Sequence, residues 1–320
     1  MRDRYPEPGD MTVRRLVELI GQKLLITPVA GETGYSRLVG SPDINRPGLA
    51  LTGFTHRFLH DRIQIIGETE ITYLSSLDQE ARESAVRNLF QFPVYCFIVT
   101  KGFEPPVEIA EEAAGCDCAV FRSPRDTTPL IHDLTGYLSE VFAPRKCVHG
   151  TLVDVFGVGQ LVTGRSAIGK SEAVLGLVER GHRLIADDIV RIRRTGEQLL
   201  GTGDAIMGSH MEIRGLGMVN IPVLYGIRTV KDRHPVDMEV RLVDWTQKPD
   251  FDRTGLDRST TTYLGVRIPQ IVLPVLPGRN IALLLEVAAM SFLLESRGVD
   301  VPAELDLKLI ERMRETPGGG

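Results

Sequence analysis

The sequence predicts an α/β fold in two parts, an N-terminal α/β domain over residues 1–136 and a C-terminal phosphate-loop domain over residues 137–320. Three observations carry this. Apolar runs of strand length alternate with amphipathic stretches of helix length. A glycine-rich stretch, Gly164-Arg165-Ser166-Ala167-Ile168-Gly169-Lys170-Ser171, fits G-x-x-x-x-G-K-[ST]. A chain of 320 residues is long enough for two cores.

Composition narrows the class. Hydrophobic content of 42% and charged content of 25% are ordinary globular values. A net charge of −5 argues against a general nucleic-acid binder. No apolar run spans a bilayer and Met1 to Pro8 has no apolar signal region, which predicts a cytosolic protein without membrane contact. Four cysteines make no disulfide framework at this size, and Cys116 and Cys118 lack a second pair for zinc. His56 and His60 have metal-pair spacing but no Glu to complete a zincin motif, so a packed or solvated turn is the better reading.

Residues 1–10 are polar and rich in Pro and Gly, which predicts no regular structure. Met11 to Ile20 reads as a helix with Val13, Leu16, Val17 and Ile20 on one face. Lys23 to Val29 reads as a strand, Asn45 to Gly48 as a turn, and Leu49 to Gly53 as the approach to a further short strand. Arg62 to Gly67 is a strand, and Asp78 suits the N-cap of a helix through Leu89. Val94 to Thr100 is a continuous apolar run, as in a buried parallel strand. A helix near Pro106 to Ala114, a strand at Ala119 to Phe121 and a helix from Thr127 to Phe142 complete the domain, with the junction placed in that last helix.

In the second part, Leu152 to Phe156 and Gly159 to Thr163 read as strands joined by a glycine hairpin that feeds the phosphate loop. Glu172 to Arg180 is a helix stopped by Gly181, so its N-terminus adds a dipole to the anion site. His182 to Ala186 is a strand ending at Asp187-Asp188, where α/β sheets gather ligands; two solvated turn aspartates are the bland alternative. Met211 to Gly217 places Glu212 and Arg214 beside two glycines, or makes a simple surface turn. Arg241 to Trp245 is a strand, with Asp252-Arg253 in the loop after it. Ile271 onward is a strand running into Pro274-Val275-Leu276-Pro277-Gly278-Arg279, then an apolar helix Ile281 to Ser296 and an amphipathic one, Glu304 to Arg314.

The loop carries its own chemistry. Its backbone N–H groups converge on an anion, Lys170 can reach the β- and γ-phosphates, and the Ser171 hydroxyl can ligate Mg²⁺. A glycine-rich turn before a helix is the alternative, which the flanking elements disfavour.

Several segments together resemble the HPr kinase/phosphorylase family over nearly the whole chain. In the first domain these are Ile44 to Gly48 and Gln64 to Glu70. In the second they are Val148-His149-Gly150, the loop Gly164 to Ser171, Arg180 to Asp188, Glu212 to Gly217, Phe251-Asp252-Arg253, Gly278-Arg279-Asn280 and Glu286 to Met290. Any one is weak, but their joint order is specific. The resemblance implies a bacterial cytosolic homohexamer that uses ATP to phosphorylate a serine of HPr, the phosphocarrier of the sugar phosphotransferase system, or of a paralogue. It also implies removal of that phosphate by phosphorolysis, with inorganic phosphate as acceptor and pyrophosphate as product. The kinase domain it implies resembles phosphoenolpyruvate carboxykinase. Consistently, the chain has no H-R-D-x-x-x-x-N or D-F-G motif.

By the same resemblance Asp188 is the acid/base residue, His149 holds or tunes it, and Lys170 and Arg253 stabilise charge on the phosphoryl group. Ser171 and Glu212 hold the metal, and the segment Pro274 to Arg279 serves dephosphorylation, with Arg279 offering a bidentate fork to phosphate. The loop departs from the family form G-D-S-G-x-G-K-S, since Arg165 replaces Asp and Ala167 replaces Gly. That leaves two further readings: a nucleotide-sensing regulator with weak catalysis, and a small-molecule kinase on the same scaffold.

Overall fold

The structure, a computed structural model, describes residues 8–204, 210–213, 215–245, 259–276 and 278–299. The chain divides into two compact units whose boundary falls between Ala143 and Pro144. The helix expected to hold the junction therefore belongs whole to the first unit, because Leu130, Leu134, Leu138 and Val141 are buried in that unit's core.

In the first unit the elements are α1 (Val13–Leu24), β1 (Thr27–Ala30), β2 (Ile44–Asn45), α2 (Gly48–Leu51), β3 (Ile63–Ile66), α3 (Glu68–Ser76), α4 (Gln79–Phe90), β4 (Cys96–Val99), α5 (Val107–Gly115), β5 (Ala119–Arg122) and α6 (Thr127–Val141). The sheet order is β1-β5-β4-β3-β2, with β2 to β5 parallel and β1 antiparallel to β5. Strand side chains alternate between faces. Ile63, Ile65, Cys96, Ile98 and Phe121 join α1 and α6 in one core, while Ile66, Phe97, Val99 and Val120 join α2 to α5 in the other.

Three expectations change here. The first helix runs on to Leu24, whose side chain is fully buried, so the strand starts at Thr27 rather than Lys23. Leu49 to Gly53 opens a helical turn instead of leading to a strand, because Ala50 and Leu51 pack under α4. Glu68–Ser76, unread in the sequence, is helical, with Glu70 closing a cap on the Gly67 amide at 2.9 Å.

The second unit contains β6 (Arg145–His149), β7 (Thr151–Val155), β8 (Val158–Gly164), α7 (Lys170–Glu179), β9 (Arg183–Ala186), β10 (Ile189–Thr195), β11 (Gln198–Thr202), β12 (His210–Ile213), β13 (Gly217–Asn220), α8 (Ile221–Tyr225), β14 (Arg233–Pro235), β15 (Met238–Asp244), β16 (Ser259–Tyr263), β17 (Val266–Val275) and α9 (Ile281–Ser296). A six-stranded sheet runs β16-β17-β15-β8-β7-β9, and a four-stranded antiparallel sheet runs β14-β11-β10-β6. Val153, Val155, Val162, Val240 and Leu242 pack under α7 and α9 on one face of the large sheet. Leu152, Leu161 and Ile268 face Val190, Ile192 and Leu199 of the smaller sheet on the other. The segment Met211 to Gly217, for which a surface turn is the bland alternative, lies in the β12–β13 hairpin. Among the described residues no helix is long and apolar enough to cross a membrane. Arg214, Phe251 to Arg253, Pro277 and the helix expected at Glu304 to Arg314 lie outside the described residues.

Strands β8, β15 and β17 are parallel neighbours, so their C-terminal ends share one edge of the sheet. From that edge β8 turns into the loop and α7. Gly164 has φ 145° and a Cβ there would lie 2.6 Å from the Leu242 carbonyl oxygen, so only glycine fits. Ala167 takes φ 64°, a left-handed conformation in which its Cβ is crowded. Ala167→Gly is expected to stabilise the protein by roughly 0.5–1 kcal/mol. A urea midpoint that stays the same or falls would show that the loop carries no such strain.

Candidate active site

The loop lies between two anchors. Ile168, 8% exposed, plugs its underside into the core beneath α7 and α9. Ser166 and Ala167 form the exposed tip. Lys170 is buried, and its ammonium donates to the carbonyls of Gly164 and Arg165, both at 3.1 Å. An ammonium has three donors, so one remains for an anion over the loop. Arg165 is held away from a free role by an ion pair with Asp244 at 2.5 Å.

Beside the loop, the Ser171 hydroxyl donates to Asp187 at 3.3 Å, and Thr151 donates to the same carboxylate at 2.6 Å. Burial pushes the Asp187 carboxyl above the usual carboxylate range, while hydrogen bonds from Thr151, the Asp188 backbone and Ser171 pull it back. A hydroxyl and a carboxylate together are hard oxygen donors, the set that Mg²⁺ accepts. The carboxylate that Ser171 meets is thus Asp187. Glu212 sits exposed on β12, opposite Met218 in the hairpin. Among the described residues no three His, Cys, Asp or Glu side chains cluster as a metal cage, so such an ion would need oxygens from a phosphate as well.

His149 and Asp188 come together through strand pairing. β10 runs antiparallel to β6 with Ile189 opposite His149, and the Gly150 amide donates to the Asp188 carbonyl at 3.0 Å. Asp188 bridges β9 and β10 with φ 66°. This aims its carboxylate at His149 Nδ1, 3.1 Å away. Their side chains are 55% and 73% exposed, so the pair adds little stability and stays open to a bulky substrate.

A cavity of about 470 Å³ opens against both features. Its walls include His149 on one side, Gly164, Arg165 and Ile168 on another, and Arg241 to Asp244 of β15. Its floor is Glu239, 4% exposed, which accepts from Thr163 and, at 3.0 Å, from Gln270. Burial, followed by the nearby Glu239 charge, pushes the Tyr263 hydroxyl well above its ordinary range, so it too acts as a donor at this floor. Pro274 and Val275 pair with Val243 and Asp244 at the end of β17, and Arg279 is exposed in the turn before α9. A Cβ at Gly169 would touch Ile281 at 3.8 Å, so this turn leads directly to the loop.

The structure therefore gathers His149 with Asp188, and Lys170 and Ser171 with the loop; Arg253 lies outside the described residues. Sequence reasoning placed Asp187 only second to Asp188 and did not single out Glu239 or Arg241. Asp187 had one usable signal, its place at a strand end. Arg241 read as an ordinary first residue of the expected strand, and Glu239 fell before it, because β15 starts at Met238 rather than Arg241.

The family model for the HPr Serine kinase C-terminal domain matches residues 140–309, and that for the HPr Serine kinase N terminus matches residues 11–138. The HPr kinase/phosphorylase of Geobacter sulfurreducens is 39% identical over 97% of both chains. That of Leptospira biflexa is 43% identical over 95% of both. A solved structure, the Hpr(Ser) kinase/phosphatase from Coxiella burnetii, is 31% identical, covering 50% of this chain and 98% of its own, with a TM-score of 0.46. This chain belongs to the HPr kinase/phosphorylase family.

Proposed function

We propose that this protein transfers the γ-phosphoryl group of ATP, or a phosphoryl group of pyrophosphate, to a serine of an HPr-like phosphocarrier, and removes it again by phosphorolysis. The observation that carries this is the open His149–Asp188 pair beside the phosphate loop, with one cavity touching His149 and the loop. The family supports a protein serine as acceptor.

In the forward direction Asp188 takes the proton from the seryl hydroxyl, and His149 orients its carboxylate. In reverse the same carboxyl returns the proton to the leaving seryl oxygen. Lys170, with Arg253, stabilises charge on the phosphoryl group in flight. Mg²⁺, when bound, neutralises phosphate charge at Ser171, with Asp187 or Glu212 as carboxylate partner. Arg279 serves the phosphate acceptor. The proposal includes a cytoplasmic homohexamer acting in control of carbon metabolism.

Incubating the purified protein with Mg-ATP and the cognate HPr-like protein should yield phosphoserine, and inorganic phosphate should then release pyrophosphate. Nucleotide binding without transfer would favour a sensing regulator instead. The tied Arg165 and left-handed Ala167 are the observations on that side.

Lys170→Ala is expected to lower turnover in both directions by about 10²–10³-fold without unfolding the protein. Wild-type turnover in either direction would remove the loop from the chemistry. Asp188→Asn should lower both turnovers by about 10²–10⁴-fold while ATP affinity changes little. Lost ATP affinity would point to a metal-binding role. For the metal, Mg²⁺ with ADP should raise the melting temperature of the wild type but not of Asp187→Asn. Equal shifts in both would return the carboxylate role to Glu212.

A further inference from the structure

Two consecutive aspartates face two different places, and the local strand pairing shows how the chain separates them. The segment His149-Gly150-Thr151 lies antiparallel to Asp187-Asp188-Ile189. His149 Nδ1 meets the Asp188 carboxylate, and the Gly150 amide donates to the Asp188 carbonyl. The third contact runs from the Thr151 hydroxyl to Asp187 Oδ1 at 2.6 Å. The first two belong to the dyad; the third has no assigned role.

The aim of Asp187 comes from an irregularity in β9. Strand β7 pairs Val153 with Leu184 and Leu152 with Ala186, so Ile185 is an extra residue without a partner in that ladder. Val153 and Leu184 face α7 and α9, whereas Leu152, Ile185 and Ala186 all face the smaller sheet. A bulge of this kind shifts the alternation of the residues that follow it. Regular alternation from Leu184 would turn Asp187 toward the smaller sheet. The extra residue turns it to the α7 side, where the Ser171 hydroxyl donates to Oδ2 at 3.3 Å. Asp188 is then left to His149.

Thr151 is fully buried, and a buried hydroxyl is unfavourable without a hydrogen-bond partner. Packing alone would be served at that position by valine, which has the same shape. What the hydroxyl adds is a hold on Oδ1, which leaves Oδ2 toward Ser171 and the loop. In metal sites the groups that hydrogen-bond a ligand set its orientation, and losing one typically costs about 10–100-fold in metal affinity or activity.

We propose that Thr151 is a positioning residue for the Mg²⁺ site of the phosphate loop: its hydroxyl holds Asp187 so that Oδ2 and the Ser171 oxygen present one pair of hard donors. The inference rests on the reading that the loop binds a nucleotide with Mg²⁺, and it makes Asp187 rather than Glu212 the carboxylate there. It needs no acceptor protein, so an absence of phosphoryl transfer does not imitate its failure.

The test measures the Kd of ADP for wild type, Thr151→Val, Thr151→Ala and Thr151→Ser, once with excess Mg²⁺ and once in EDTA, with the melting temperature of each protein without ligand. Mg²⁺ should tighten ADP binding to the wild type. Thr151→Val should weaken binding in Mg²⁺ at least about tenfold and binding in EDTA less than about threefold. Thr151→Ala removes the same hydroxyl with a smaller side chain and carries the comparison should valine lower the melting temperature. Thr151→Ser keeps the hydroxyl and should stay within about threefold of wild type in Mg²⁺. Losses of equal size in Mg²⁺ and in EDTA would make Thr151 a support of the fold alone and overturn the proposal. A wild type whose ADP affinity ignores Mg²⁺ would overturn the metal reading of the loop and the positioning role with it. A metal-responsive wild type with equally responsive Thr151→Val and Thr151→Ala would overturn the positioning role alone.

Discussion

The pairing of β10 with β6 is the constraint on which the site depends. His149 and Asp188 are far apart in sequence and belong to separate elements. One register, Ile189 opposite His149, brings them to 3.1 Å. A slip by one residue would turn Ile189 outward-for-inward and part the dyad. The Gly150 amide on the Asp188 carbonyl locks that register at the strand end. Because β6 leads through Gly150 into β7, and β7 pairs with β8, the same run of chain also sets the dyad beside the loop.

On the opposite side of the cavity, β8 is held by a buried polar cluster. Thr163 is the last residue before Gly164, and its hydroxyl is bound to Glu239. Burying a carboxylate is unfavourable unless donors satisfy it, and here Thr163, Gln270 and Tyr263 do so. The large sheet thus presents the loop from its edge, while the dyad joins His149 of the smaller sheet to Asp188 at the link between β9 and β10. The two substitutions in the loop fall within this frame. Arg165 makes an exposed ion pair with Asp244, and Ala167 accepts a left-handed backbone that glycine would adopt freely.

The loop was legible because its chemistry is local: eight consecutive residues bring their own flanking strand and helix. The buried strands Cys96–Val99 and Ile63–Ile66 were legible as apolar runs. What stayed hidden is what long-range pairing creates. Helix α3 opens with Glu68-Thr69-Glu70, a polar start whose cap and packing appear only in the fold. Strand β10 carries three arginines on a half-covered sheet, which masks its alternation. Lys23 to Ile26 has strand composition, yet Leu24 is drawn into the helix by the core beneath it. Glu239 and Arg241 meet the loop only because β15 lies parallel to β8, and nothing local announces that neighbour.

The central claim is that His149 and Asp188 act as one unit at the phosphate loop. A double-mutant cycle with His149→Ala and Asp188→Asn, read as kinase turnover on the HPr-like protein, tests it most directly. A unit predicts strong non-additivity, with the double variant no slower than Asp188→Asn alone within about 0.5 kcal/mol. Losses that simply add would show that the two residues act separately and would contradict the account.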